Sequence, residues 1–268
     1  MRAGRRLGRA DLHVHSRASD GVSGIEEILA AALAAGLDVV AVTDHERIDA
    51  AQAARAMVAE RAIPIEVVVG EEITTLGGHL LGLWLERRIP PLRGLGWSIA
   101  AVHEQGGVAI PAHPLVPYPL CAQGWTLRRL LASRDPAVRP DALETFNPTF
   151  FGRVARHRAS EFAARHDLAA VGNSDAHAAE QVARGWTEFA GVTGADLRAA
   201  IAAGETSAHG RFHPAGSQVA TFGRQLRKYG GDARASASAR LGRGGGRDLG
   251  YPRRVDEAPV PDGEADER

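Results

Sequence analysis

Along most of the chain, short apolar runs that end in polar residues alternate with stretches whose apolar positions recur every three or four residues. The first pattern reads as buried strand and the second as amphipathic helix. Asp11-Leu12-His13-Val14-His15 opens the series with a two-residue alternation, so His13 and His15 project to one side and Leu12 and Val14 to the other. Ser23-Gly24-Ile25-Glu26 has the spacing of a capping box ahead of an Ala/Leu-rich helix that runs to Gly36. Residues 37–45, 65–72, 79–84, 108–114, 142–147 and 168–177 read as further strands. Residues 49–62, 97–105, 152–167 and 195–204 read as helices, with a short one near 127–131. Strand and helix alternate about seven times, which predicts an α/β fold with a parallel sheet, and this many units within about 200 residues suits a closed or nearly closed barrel.

This pattern divides the chain into an N-terminal extension (1–9), a barrel (10–210), an extension of that barrel (211–228) and a low-complexity tail (229–268). In the tail Gly, Ser, Arg, Asp and Pro replace apolar residues, and poor order is expected there. A hydrophobic fraction of 44% and a charged fraction of 24% suit a soluble globular protein. Lys+Arg and Asp+Glu balance at 32 each, so net charge points to neither nucleic acid nor an anionic membrane. Cys121 is the only cysteine, which excludes an internal disulfide and a Cys-rich zinc site and suits a reducing cytoplasm. The basic N-terminus lacks the apolar segment of a secretory signal, and no apolar run is long enough to span a membrane.

Composition leaves the chemistry open, but the strand ends do not. Ser19-Asp20-Gly21 reads as a turn that brings the Asp20 carboxylate back toward His13 and His15. The later ends supply His45, Glu72, His79, His113, Asp175 and His177. Six of the eleven histidines thus fall at or just beyond predicted strand ends, the face on which α/β barrels build active sites. Nine nitrogen and oxygen donors at one mouth exceed what one tetrahedral ion takes, which indicates two or three metals sharing bridging groups.

The series Asp11-Leu12-His13-Val14-His15-Ser16 with Ser19-Asp20-Gly21, then Thr43-Asp44-His45, Gly70-Glu71-Glu72, Gly78-His79, Ala112-His113-Pro114 and Gly172-Asn173-Ser174-Asp175-Ala176-His177, resembles the PHP (polymerase and histidinol phosphatase) superfamily. The resemblance implies a distorted (β/α)7 barrel with the metal site at the C-terminal ends of its strands. It further implies two or three divalent ions, zinc, manganese or iron, held by His13, His15, Asp20, His45, Glu72, His79, His113, Asp175 and His177 for phosphoester hydrolysis. Aligning the Gly-x-Glu motif selects Glu72 over Glu71 as the bridging ligand. Clustered cations would acidify a shared water to hydroxide and polarise the phosphoryl oxygens.

Catalysis is then expected from Asp175 and His177, with Arg17 and Arg184 as phosphate anchors. Asp44 and Asn147 are expected either to support the metal-bound imidazoles or to be structural, with Asp44, and also Glu144, placed to accept the second N–H of an imidazole. His103, His157 and His166 fall within helices and read as surface residues, whereas His209 and His213 follow the last helix and could cover the mouth. The loop 115–126, with Tyr118 and Trp125, is placed to read the organic part of a substrate. The expected substrate is a small phosphorylated metabolite or nucleotide, with no membrane partner. Short oligonucleotides are the alternative substrate, and a non-catalytic metal-binding module is the alternative of another class.

Overall fold

Both faces of the central strands are covered, and the alternation of their side chains shows how. In β2 (Val39–Val42), Val39 and Ala41 join an inner cluster with Leu12, Val68, Leu81, Ile110 and Val171, while Val40 and Val42 pack outward against Ile28, Leu29 and Ala51. Burial of both faces is why the run is almost continuously apolar. These relations come from a computed structural model that describes residues 6–213 and 223–224. The chain divides into units 1–226 and 227–268. The second unit, with the whole low-complexity tail and most of the 211–228 segment, lies outside the described residues.

The strands are β1 (Leu7–Asp11), β2, β3 (Glu66–Thr75), β4 (Gly78–Leu83), β5 (Val108–Pro111), β6 (Ala142–Phe146), β7 (Ala169–Gly172), β8 (Gly185–Ala190) and β9 (Ser207–Gly210). The helices are α1 (Ile25–Ala34), α2 (Asp49–Glu60), α3 (Leu95–Glu104), α4 (Gly124–Leu131), α5 (Phe150–Arg165) and α6 (Gly194–Ala203). Seven strands form one sheet in the order β5-β4-β3-β2-β1-β8-β9, and β6 and β7 form a parallel pair. That pair joins both edges of the curled sheet: Asp141 N donates to Ala109 O at 3.0 Å, and Thr206 Oγ1 donates to Ala170 O at 2.8 Å.

The all-parallel sheet expected from the alternation is corrected to a mixed one. β1, β2 and β3 are parallel, but β4 runs antiparallel to β3 and β5, and β8 runs antiparallel to β1 and β9. Only Leu76 and Gly77 separate β3 from β4, a link that closes a hairpin and is too short for a parallel crossover. β8 and β9 lie where no strand was expected, because 185–190 has no β-branched run and 207–210 is short and largely polar. The cap of α1 is also displaced by one residue: the Glu27 carboxylate accepts from Gly24 N at 2.7 Å, while the Ser23 hydroxyl accepts from Ala179 N.

One end of the curled sheet is closed. α6 buries Leu197, Ala200 and Ile201 in the inner cluster, and its first amide donates to Glu66 at the start of β3. The opposite end, where β1, β2, β3 and β5 finish, is left for polar side chains. No helix among the described residues is long and apolar enough to cross a membrane.

Candidate metal centre

The nine donors picked out along the chain meet at that open end. His13 and His15 lie just past β1, on an extended segment held by Val14 N donating to Thr43 Oγ1 and by His15 N donating to Ala176 O. His45 follows β2, Glu72 lies within β3, His113 follows β5, and Asp175 and His177 follow β7. His79 arrives by another route. It stands near the start of β4, and because that strand is antiparallel its beginning lies at the same end as the finish of its neighbours.

Glu72 is the hub. Its Oε2 lies 3.2 Å from His13 Nε2, 3.2 Å from His15 Nε2 and 3.4 Å from His45 Nε2, and its Oε1 lies 2.8 Å from His79 Nδ1 and 3.1 Å from His113 Nε2. Asp175 Oδ1 stands 3.4 Å from both His13 Nε2 and His15 Nε2. Asp20 faces His15 Nδ1 at 3.3 Å and His177 Nε2 at 2.9 Å. These groups form five overlapping triads whose ligand atoms lie within 4.8 Å of one another, and the nine residues together account for all five.

The donor set fits cations better than it fits itself. His13 Nε2 and both ring nitrogens of His15 are buried without a hydrogen-bond partner, a costly state unless something positive binds there. Burial opposes charge on His13, His15, His113 and the three carboxylates, but the opposite signs beside them overturn it, whereas at His45 burial prevails and lowers the pKa. The carboxyls of Glu72, Asp20 and Asp175 fall below the usual carboxylate range beside the imidazoles. His15 rises to about 10 beside Asp20, Asp175 and Glu72. Protons and metals therefore compete for the same nitrogens. His113 and Asp175 also adopt positive φ, 30° and 50°, a strained backbone of the kind found at functional sites.

A surrounding shell aims the donors. Glu144 accepts from His13 Nδ1 at 3.1 Å, from His113 N at 2.6 Å and from the side-chain amides of Asn173 and Asn147. Asn147 also donates to Asp175 Oδ2 at 3.2 Å. Of the two roles expected for Asp44 the structural one holds: it accepts from Ser16 and Ser19 and so fixes the turn that presents Asp20, rather than gripping an imidazole. Glu71 points elsewhere, accepting from Ile89 N, and burial raises its pKa to about 8.

A PHP domain pattern matches residues 11–104 and a PHP-associated pattern matches residues 154–206. An uncharacterized protein of Methanocaldococcus jannaschii is 33% identical over 150 residues, covering 52% of this chain and 81% of that protein. The chain belongs to the PHP family. A 5'-3' exoribonuclease of Haemophilus influenzae is 38% identical to this PHP chain over 104 residues, 37% of each protein. Among solved structures, a two-domain protein from Bacteroides vulgatus containing a predicted PHP-like metal-dependent phosphoesterase shares the fold with a TM-score of 0.63 at 19% identity. That likeness covers 78% of this chain and 66% of that one.

Two expected anchors of the PHP chain differ in setting. The Arg17 guanidinium donates to Val22 O at 3.2 and 3.3 Å and stands 3.6 Å from Glu27, so these partners already engage it. Arg184 stands near enough to His213 to lower its pKa, reinforcing burial, and His213 in turn senses Asp175 and His177. His213 thus lies toward the mouth, whereas His209 stacks on Trp186. Sequence reading passed over Asp11, which accepts from Ser174 N at 2.9 Å and Ala183 N at 2.8 Å and so fixes both flanks of Asp175 and His177. It also passed over Gln181, which accepts from His177 N; Cys121, considered there only as the single cysteine, places its Sγ 3.4 Å from His113 Nδ1. The placement of Asp11 two residues before His13, on the same strand face, is the one signal that could have found it.

Proposed function

We propose that this chain is a metal-dependent phosphoesterase that hydrolyses a phosphomonoester of a small metabolite or nucleotide. The observation that carries the reading is the set of five triads linked to one another through His13, His15, His45, Glu72 and Asp175, which offers more donors than one tetrahedral ion takes. Two or three divalent ions, zinc, manganese or iron, fit that set. Bound there, they would supply Lewis-acid polarisation of the phosphoryl group and acidify water near neutral pH.

The residues of the chain do the rest. Glu144 holds the Nδ1 proton of His13 so that Nε2 faces inward, and the Asp175 carbonyl, 2.9 Å from His177 Nδ1, does the same for His177. Arg184, beside His213 at the Asp175 and His177 end, is the better placed phosphate anchor. The test begins with protein purified without chelator. At least two metal equivalents per chain, turnover of p-nitrophenyl phosphate that a chelator abolishes, and a loss of at least about a hundredfold in kcat/KM in Glu72→Gln are expected. Metal-loaded protein that cleaves no phosphoester would instead support a non-catalytic metal-binding module.

The same centre could cleave a terminal phosphodiester of a short oligonucleotide. This second reading is supported by the likeness, over 104 residues, to the 5'-3' exoribonuclease of Haemophilus influenzae.

A further inference from the structure

Between His113 and α4 the chain folds back on itself, and one residue of that loop meets the centre from behind. Cys121 is buried, and its Sγ lies 3.4 Å from His113 Nδ1, while the other nitrogen of that ring faces Glu72. The loop is fixed by its own polar groups. Leu115 N donates to Ala122 O at 2.9 Å, and the Gln123 side-chain amide donates to Val116 O at 2.6 Å and to Cys121 O at 2.9 Å. Cys121 packs there with Val116 and Ala155.

The same segment reaches a second donor. His79 N donates to Leu120 O at 2.9 Å. Gly78, at a φ of 117°, lets the two segments touch, because a Cβ there would collide with the backbone of Cys121 and Ala122. His79 is only 8% exposed, and its Nδ1 is buried without a hydrogen-bond partner, 2.8 Å from Glu72 Oε1. The segment thus steadies a nitrogen whose unmet capacity points to a bound cation. His113 belongs to the triad with His13 and Asp175, and His79 to the triad with His45 and Glu72. These two triads have no residue in common, and Leu120-Cys121 is hydrogen-bonded to both.

Sulfur stands behind His113 where oxygen stands behind other imidazoles of the centre. His13 Nδ1 meets Glu144 Oε1 at 3.1 Å, and His177 Nδ1 meets the Asp175 carbonyl at 2.9 Å. A histidine that binds a cation through Nε2 carries its proton on Nδ1, and whatever accepts that proton sets the aim of the ring. We infer that Cys121 is a positioning residue of the metal centre: its sulfur accepts the Nδ1 proton of His113, so that Nε2 is turned toward the cation of the triad with His13 and Asp175. This inference rests on the reading of the nine donors as a metal centre, and not on which phosphoester is cleaved.

The test is competition for zinc between the full chain and a chromophoric chelator, together with the visible spectrum of the cobalt-loaded protein. Cys121→Ala is expected to lose about tenfold or more in affinity at one metal position, since a group behind a ligating imidazole typically carries ten- to a hundredfold. Its cobalt spectrum is expected to change. Cys121→Ser, which returns an acceptor, is expected to recover part of both. Val116→Ala removes apolar volume from the same small cluster without touching His113, and it is expected to lower the urea midpoint while metal affinity and cobalt spectrum stay at wild type. Cys121→Ala with the affinity and spectrum of wild type would overturn the inference. No recovery in Cys121→Ser, or an equal loss of metal in Val116→Ala, would overturn it too, because packing rather than the sulfur would then hold His113. Wild type that takes up no metal would refute the metal reading and this inference together. The expected losses in a protein that cleaves no phosphoester would refute the catalytic reading alone and support the role of Cys121.

Discussion

Glu144 shows how one buried carboxylate can govern a centre it does not belong to. It takes the outward nitrogen of His13, the backbone amide of His113 and the amides of Asn147 and Asn173, and so sets the aim of donors from four strand ends. Burial would push its pKa up, but His13 and His113 pull it below the ordinary value, so it stays an acceptor for both. Glu144→Gln keeps the shape and removes the charge. Metal affinity is expected to fall about ten- to a hundredfold, read as metal retained after dialysis against a graded chelator, and unchanged retention would show that Glu144 only fills space. The residues that cluster at the mouth were legible in the sequence because their chemistry is local: an imidazole two residues from another, or at the end of an apolar run, declares itself. Asp44 and Asp11 were not legible in that way. Their roles depend on which backbone amides the fold brings to them, Ser16 and Ser19 for the first and Ser174 and Ala183 for the second.

Elements were legible to the extent that their own period identified them. The five long helices and the apolar strands were found near their observed positions, but strand direction was not, since it depends on link length and on partners far away in sequence. β4 is the instructive case, because His79 reaches the mouth only through the reversal that Leu76-Gly77 imposes. Helix placement also rests on contacts that periodicity cannot show. His103 of α3, read as a surface residue, donates from Nδ1 to Ala137 O at 2.8 Å and from Nε2 to Asp141 Oδ2 at 2.9 Å, and Asp141 also receives Ala109 N. Two acceptors facing both nitrogens require the imidazolium, and the Asp141 hydrogen bond raises the pKa of His103 against partial burial. The stabilisation is therefore fully present below the unfolded value of about 6.5 and is lost as pH rises through the higher folded value. His103→Gln should cost about 1 kcal/mol near pH 6, given the partial exposure of both side chains. The difference from wild type should shrink toward alkaline pH in urea titrations, and a difference independent of pH would remove the charge from the account.

At the scale of the whole molecule, the centre is where an early and a late segment of the chain meet. His13, His15 and Asp20 come from the segment just past β1 and its turn, Asp175 and His177 from the segment after β7, and Val14 and Ala176 bridge directly between them. A cation shared by these groups would tie chain segments about 160 residues apart to β2, β3, β4 and β5 at once, so its loss is felt globally rather than at one loop. The unfolded chain keeps no such constellation, which makes metal affinity a contribution to folding stability. At about a hundredfold excess over the dissociation constant that contribution is about 2.7 kcal/mol, which for a domain of this size corresponds to a rise in Tm of roughly 5–10 °C. Stripping the protein with chelator and restoring zinc or manganese should lower and then recover Tm by that amount in differential scanning fluorimetry, with the shift growing with metal concentration. His15→Ala should lose most of the metal-dependent part, because His15 belongs to three of the five triads. A Tm indifferent to metal in wild type would mean that the mouth is already balanced by its own ion pairs, and that the buried nitrogens of His13 and His15 are not held for a cation.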